Sequence, residues 1–207
     1  QPSNSGIGSY WVTSIAIDKF NTKWIGAAGS GLAVYNDTTW YTYTPENSGI
    51  PDYGALTIAI EDTIIWLGSH HGLTRFDGYN WYTYNTSNSG MTHNYVYDIE
   101  VDASGVKWIA SLGIFRFDDS TWTVYKNTST GYIAWCNGII SDPDGTIWAG
   151  GNGGLFKYTS EGFEQADIST NGFTTNNAFD IEFSVDSSLL IGSDKLITFD
   201  GETWGTI

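Results

Sequence analysis

Residues 24–43 read WIGAAGSGLAVYNDTTWYTY, and residues 66–84 read WLGSHHGLTRFDGYNWYTY. The second stretch restates the first: a Trp-led apolar run, a Gly-containing gap, a second apolar run, and a closing Trp-Tyr-Thr-Tyr. The pattern returns as WIASLGIFRFDDSTWTVY from Trp108, WAGGNGGLFKYTSEGFEQ from Trp148 and LIGSDKLITFDGETW from Leu190. Successive copies begin 42, 42, 40 and 42 residues apart. Repetition at such a period marks an array of like units, each too small to bury its own apolar surface.

Each copy reads as four short strands, in the third copy roughly 96–102, 106–110, 114–118 and 122–125. β-Branched and aromatic residues fill these runs, while Gly, Asn and Asp mark the gaps. The first gap carries Asp-x-x-Gly-x-x-Trp, as Asp102, Gly105, Trp108 and as Asp142, Gly145, Trp148. Asp bonds the backbone ahead of it, and Gly takes the positive φ of a tight hairpin. Asn21 replaces Gly in the first copy and tolerates the same conformation. The second copy is one residue shorter here. No segment sustains a helical period, so no substantial helix is expected.

Four strands in about 40 residues is the arithmetic of a propeller blade. The expected fold is therefore all-β, a five-bladed β-propeller of four-stranded antiparallel blades. The expected domain is a single propeller over 1–207, with blades near 12–48, 54–90, 96–131, 136–172 and 178–207. Trp24, Trp66, Trp108 and Trp148 would fill one layer between blades. Trp40, Trp81, Trp122, Phe163 and Trp204 would fill another. Burying one such ring is worth on the order of 2–3 kcal/mol, so these aromatics need no functional explanation. Five blades can close alone or form part of a larger ring. Small inner-strand residues (Ser14, Ala16, Ala55, Ala59, Cys136, Gly138, Ala178) suit the crowding of a small closed ring.

Composition narrows the function. The 207 residues carry 23 acidic against 8 basic side chains, a formal net charge of −15. That balance excludes a nucleic-acid partner, which needs clustered Lys and Arg, and an anionic membrane surface. No apolar run is long enough for membrane insertion as a helix. The single Cys excludes a disulfide framework, and Cys136, in an inner strand, reads as a small buried apolar residue. Gly150, Gly151, Gly153 and Gly154 resemble a phosphate loop but fall at a hairpin of the repeat. Asn36, Asn85 and Asn127 sit in Asn-x-Ser/Thr triplets.

In a propeller, the loop entering each blade and the turn between its second and third strands share one face, where ligands usually sit. Aligning the copies gives one column just before each inner strand: Trp11, Gly54, Tyr95, Trp135, Asn177. Tyr53 belongs to the column before it. Trp11 and Trp135 are the two Trp outside the structural layers, and both fall at this mouth. Flat apolar rings there suit the C–H-rich faces of sugars, or plug the tunnel top. His70 and His71, in the second-to-third-strand turn, and His93, in the next loop, belong to the same face. They suit a shared sugar or transition-metal site, or ordinary exposed turns.

Inner-strand Asp98, Glu100, Asp180 and Glu182 are candidates for a cation such as Ca²⁺, for catalysis as in five-bladed glycosidases, or for bonds to a neighbouring blade. Otherwise no cofactor is expected.

Four linked motifs, seen at 102–109, 72–77, 81–84 and 88–90, resemble the two-component regulator propeller repeat, and the resemblance covers nearly the whole chain. It implies a propeller in the periplasm or outside the cell with a recognition role. In that family the repeats build sensor domains of hybrid histidine kinases, many of which detect polysaccharide fragments, and they also occur in secreted proteins. Such sensors carry more repeats, a β-sandwich, a membrane helix and a kinase, which this sequence does not include. The expected function is non-catalytic recognition of a glycan or similar polar ligand. The alternatives are a structural or protein-interaction module, with other domains of a larger chain as partners, and a carboxylate-dependent glycan-active enzyme.

Overall fold

The computed structural model describes residues 5–126, 133–166 and 177–206. Among these residues there is no helix. Twenty strands form five four-stranded antiparallel sheets, each in plain sequence order, and the fold is a five-bladed β-propeller. The first sheet holds β1 (Val12–Ile17), β2 (Lys23–Ala27), β3 (Gly31–Tyr35) and β4 (Trp40–Tyr43). The second holds β5 (Thr57–Glu61), β6 (Ile64–Ser69), β7 (Gly72–Phe76) and β8 (Trp81–Tyr84). The third holds β9 (Asp98–Val101), β10 (Lys107–Ser111), β11 (Gly113–Phe117) and β12 (Trp122–Tyr125). The fourth holds β13 (Trp135–Ser141), β14 (Ile147–Asn152), β15 (Gly154–Thr159) and β16 (Gly162–Gln165). The fifth holds β17 (Asp180–Phe183), β18 (Leu189–Gly192), β19 (Leu196–Phe199) and β20 (Trp204–Thr206). Two compact units divide the chain, Gln1–Val101 and Asp102–Ile207.

The first turn of each blade is built as the motif requires. Asn21, Gly105, Gly145 and Ser187 take φ of 65°, 80°, 84° and 66°. One oxygen of Asp18 accepts the backbone N–H groups of Phe20 and Thr22 at 2.9 Å, and the other accepts the Trp24 indole N–H at 3.0 Å. Asp102 treats Ser104, Val106 and Trp108 in the same way, and Asp142 treats Asp144, Thr146 and Trp148. The shortened second copy keeps the indole bond by a different residue. Glu61, one methylene longer than Asp, reaches Trp66 Nε1 at 2.8 Å. Burial pushes the Asp18 and Asp102 carboxyls up, but the indole, side-chain and backbone donors outweigh it and hold both below the usual range.

All four Trp of the first expected layer are buried, Trp66 completely. In the first unit Trp24 packs with Leu32, Ile50, Ile58, Leu67 and Phe76, which joins the first and second sheets. In the second unit Trp108 packs with Ile139, Phe156 and Phe163, and Trp148 with Ile181, Leu189 and Ile197. The second expected layer is less uniform. Phe163 is buried, but Trp40 is 36% exposed and Trp81, Trp122 and Trp204 are half-buried. The four Trp lie flat on the last aromatic of the preceding strand, at ring distances of 4.4 Å for Tyr35, 4.0 Å for Phe76, 4.3 Å for Phe117 and 4.2 Å for Phe199. Their first partner is therefore their own sheet.

The Asn-Ser-Gly motif explains itself here. A Cβ on Gly49 would lie 2.4 Å from Trp81 Cβ, and one on Gly6 would lie 2.5 Å from Trp40 Cβ. Cys136 is buried as expected, its Sγ 3.4 Å from the Gly138 carbonyl. Lys107 is fully buried and donates to the Gly105 carbonyl and to Asp119, both at 2.7 Å. Asn127 and the outer parts of the expected blades at 127–131 and 167–172 lie outside the described residues.

Candidate functional site

The loops entering the second, third and fifth blades rest on the second-to-third-strand turn of the blade before, and the loop entering the first rests on the turn of its own blade. In the first unit the Trp11 carbonyl accepts the Ala28 N–H at 2.9 Å. The Tyr53 carbonyl accepts the N–H groups of Gly29 and Gly31, both at 3.0 Å. The Val96 N–H donates to the Ser69 carbonyl at 2.9 Å. In the second unit the Ala178 N–H donates to Gly151, and Asn152 forms a β-bridge with Asn177. These backbone ties position the side chains beside them.

The patch on the first unit is aromatic and exposed. Trp11 is 76% exposed, Tyr95 44% and Tyr53 40%. The Tyr53 hydroxyl is tied to the Glu46 carboxylate. That bond raises the phenol above its ordinary pKa and lowers the Glu46 carboxyl. Gly54, the non-aromatic member of the column, donates its N–H to Asp52 at 2.7 Å.

The three His do not gather on one point. His71 pairs through Nδ1 with Asp52, towards the first blade. His70 sets its ring edge-on to Tyr95 at 5.3 Å, towards the third. His93 Nδ1 contacts the Thr92 hydroxyl at 3.2 Å. Among the described residues no three His, Cys, Asp or Glu side chains are grouped to hold a metal ion. A cavity of about 10 Å³ beneath this loop, lined by Leu32, Asp52, Gly54, Leu67 and Thr74, has room for about one water.

The patch on the second unit pairs one ring with two amides. Trp135, 40% exposed, stands opposite Asn152 across β13 and β14, and Asn152 bridges Asn177. Sequence reading missed Asn152. It occupies the repeat column of His70; His70 meets Tyr95 through its ring, and Asn152 meets Asn177 through the backbone. Comparing the columns through the second-to-third-strand turns would have found it. The Gly-rich stretch beside it is structural. A Cβ on Gly151 would lie 1.9 Å from the Trp135 carbonyl oxygen, and Gly153 and Gly154 take φ of 107° and 109°.

The inner-strand carboxylates have local partners. Asp98 accepts the Thr57 hydroxyl of the neighbouring blade at 3.1 Å and its own Ile99 N–H at 2.9 Å. Asp180 accepts from Ile181 N at 3.0 Å and Glu182 from Phe183 N at 3.1 Å. Glu100 is half-buried on β9.

Solved structures share this architecture. The extracellular domain of the hybrid two-component system BT3049 from B. thetaiotaomicron matches with a TM-score of 0.78 at 20% identity, covering 92% of this chain and 28% of that one. The extracellular domain of the one-component system BT4673 from B. thetaiotaomicron matches with a TM-score of 0.74 at 19% identity, covering 90% and 26%. Streptogramin B lyase matches with a TM-score of 0.75 at 13% identity, covering 97% and 70%. The chain thus spans about a quarter of the length of the two regulator domains. No protein-family model and no curated protein sequence matches the chain. No helix among the described residues is long and apolar enough to cross a membrane. The propeller is the architecture that the regulator repeats imply, and extracellular domains of Bacteroides regulator systems share it.

Proposed function

We propose that the protein is a non-catalytic recognition propeller of the periplasm or cell exterior that binds a glycan or similar polar ligand on its loop face. The observation that carries this reading is the exposure of Trp11, Tyr95 and Trp135 at one repeat position, each beside hydrogen-bonding groups. Exposed ring faces with adjacent amides, carboxylates and imidazoles are what a sugar's apolar and hydroxylated faces require. Tyr53, His70, His71 and His93 serve the patch on the first unit, and Asn177 with Asn152 that on the second. Binding needs no cofactor. Affinity per site is modest, as for a wet and shallow surface.

A glycan array read with the wild type, Trp11→Ala and Trp135→Ala tests it. Truncating a stacking ring is expected to weaken binding about tenfold, equivalent to about 1.4 kcal/mol. Undiminished binding in both variants would remove the site assignment. An enzymatic reading is favoured by the likeness to streptogramin B and virginiamycin B lyases, at 13%, 14% and 17% identity. Product release from a polysaccharide panel, abolished by Asp98→Asn or Asp180→Asn, would replace recognition with catalysis.

A further inference from the structure

The opposite face of the second unit holds a groove of about 340 Å³ between the fourth and fifth sheets. Its walls are Trp148, Phe183 and Phe199, and its acidic groups are Asp142, Asp144 and Asp200. The size falls in the range of small-molecule sites. The three carboxylates are not equivalent. Asp142 is committed to the Asp144 and Thr146 N–H groups and the Trp148 indole. Asp200 is committed to Glu202 and Thr203; those N–H and hydroxyl donors hold its pKa at about 2, so it is ionised at neutral pH. The Asp144 carboxylate has no partner among the described residues. Trp148 already carries one cation of the chain, with Lys157 Nζ 5.1 Å from its ring centre.

The chain itself shows what this seam accepts. Between the first and second sheets the same register is closed by an ion pair, Lys19 to Asp62. Lys19 follows Asp18 as Pro143 follows Asp142. Asp62 and Ser187 are the positive-φ residues of their turns, at 55° and 66°. At the first seam an ammonium on an alkyl stem crosses between blades. At the fourth, Pro143 supplies no stem and Ser187 stands in the place of the acceptor Asp62; Asp142 and Trp148 keep the places of Asp18 and Trp24, and Asp144 takes that of Phe20. We propose that this groove binds an alkylammonium group, from a free diamine or from the lysine side chain of a partner. The carboxylates supply charge complementarity, and the aromatic walls cover the stem.

Calorimetric titration of the whole protein tests this, with cadaverine and Nα-acetyl-lysine methylamide as probes and pentanol as the neutral control. Amine binding that weakens with added salt, without pentanol binding, is expected. Asp144→Asn should lower affinity about tenfold, as for loss of a charge-assisted bond. Pro143→Lys should abolish it by seating the chain's own ammonium, with the unfolding midpoint unchanged or raised. Binding by cadaverine alone identifies a diamine source, and binding by the lysine derivative alone a protein source. Absence of binding by either amine at millimolar concentration overturns the proposal. So does undiminished binding to a folded Pro143→Lys protein. Neither result touches the glycan reading, which concerns the other face.

Discussion

Glu61 offers the sharpest test of how the repeat tolerates a deletion. Its turn is one residue shorter than the others, and its extra methylene restores the bond to the fully buried Trp66 indole at 2.8 Å. Glu61→Asp withdraws the carboxylate by about 1.5 Å, one carbon–carbon bond. The donor–acceptor distance then exceeds about 4 Å, too long for a hydrogen bond. A buried N–H left unmade costs about 1–3 kcal/mol. For a chain of this size about 2 kcal/mol lowers the melting midpoint by about 4–8 °C. Glu61→Gln keeps an acceptor at the right reach and should cost less than about 1 kcal/mol. Thermal and urea unfolding followed by circular dichroism measure both, and exchange of the Trp66 Nε1–H, resolved by NMR, localises the change. A Glu61→Asp protein that melts with the wild type, or a Glu61→Gln protein as damaged as Glu61→Asp, would refute the reasoning.

Acid should loosen the turns. Asp18 and Asp102 titrate below the ordinary carboxyl range in the folded state, and backbone N–H groups hold Asp77 and Asp200 at about 2. A depressed folded pKa means stabilisation present above the unfolded value, near 4, and lost as pH falls towards 2. Urea midpoints should therefore decline across that window, and Asp77→Asn should flatten the decline; a flat profile in the wild type contradicts this. Gly151→Ala places a Cβ 1.9 Å from the Trp135 carbonyl oxygen, so the β13–β14 pairing must open there. Its cost should exceed the roughly 1–3 kcal/mol of ordinary overpacking, read by urea unfolding. Lys107→Met should be mild despite a fully buried lysine, costing at most about 2 kcal/mol, because Asp119 is 61% exposed and returns to water. A larger loss in the same assay would mean the ion pair matters more than its stem.

The blades were legible because their signals are local. The Asp18, Asp102 and Asp142 turns close within seven residues, and strands 122–125 and 114–118 fall almost where their β-branched and aromatic residues put them. The exposed rings were legible through the repeat, which puts Trp11, Tyr95 and Trp135 in one column although they lie far apart in sequence. Less legible were pairings that arise only when blades meet. His71 finds Asp52, 19 residues away, and Lys19 finds Asp62, 43 away. Nothing in either neighbourhood announces the partner. Trp40 misled for a related reason: its period said interior, while stacking on Tyr35 left much of the ring in water.

The loops that carry Tyr53, Tyr95 and Asn177 are held by main-chain atoms at or beside those residues on the turn of the blade before, and the loop of Trp11 is held in the same way on the turn of its own blade. Those ties run through the backbone and do not depend on which side chain stands there. The side chains of these loops are therefore open to exchange, one blade at a time, while the frame beneath stays as it was.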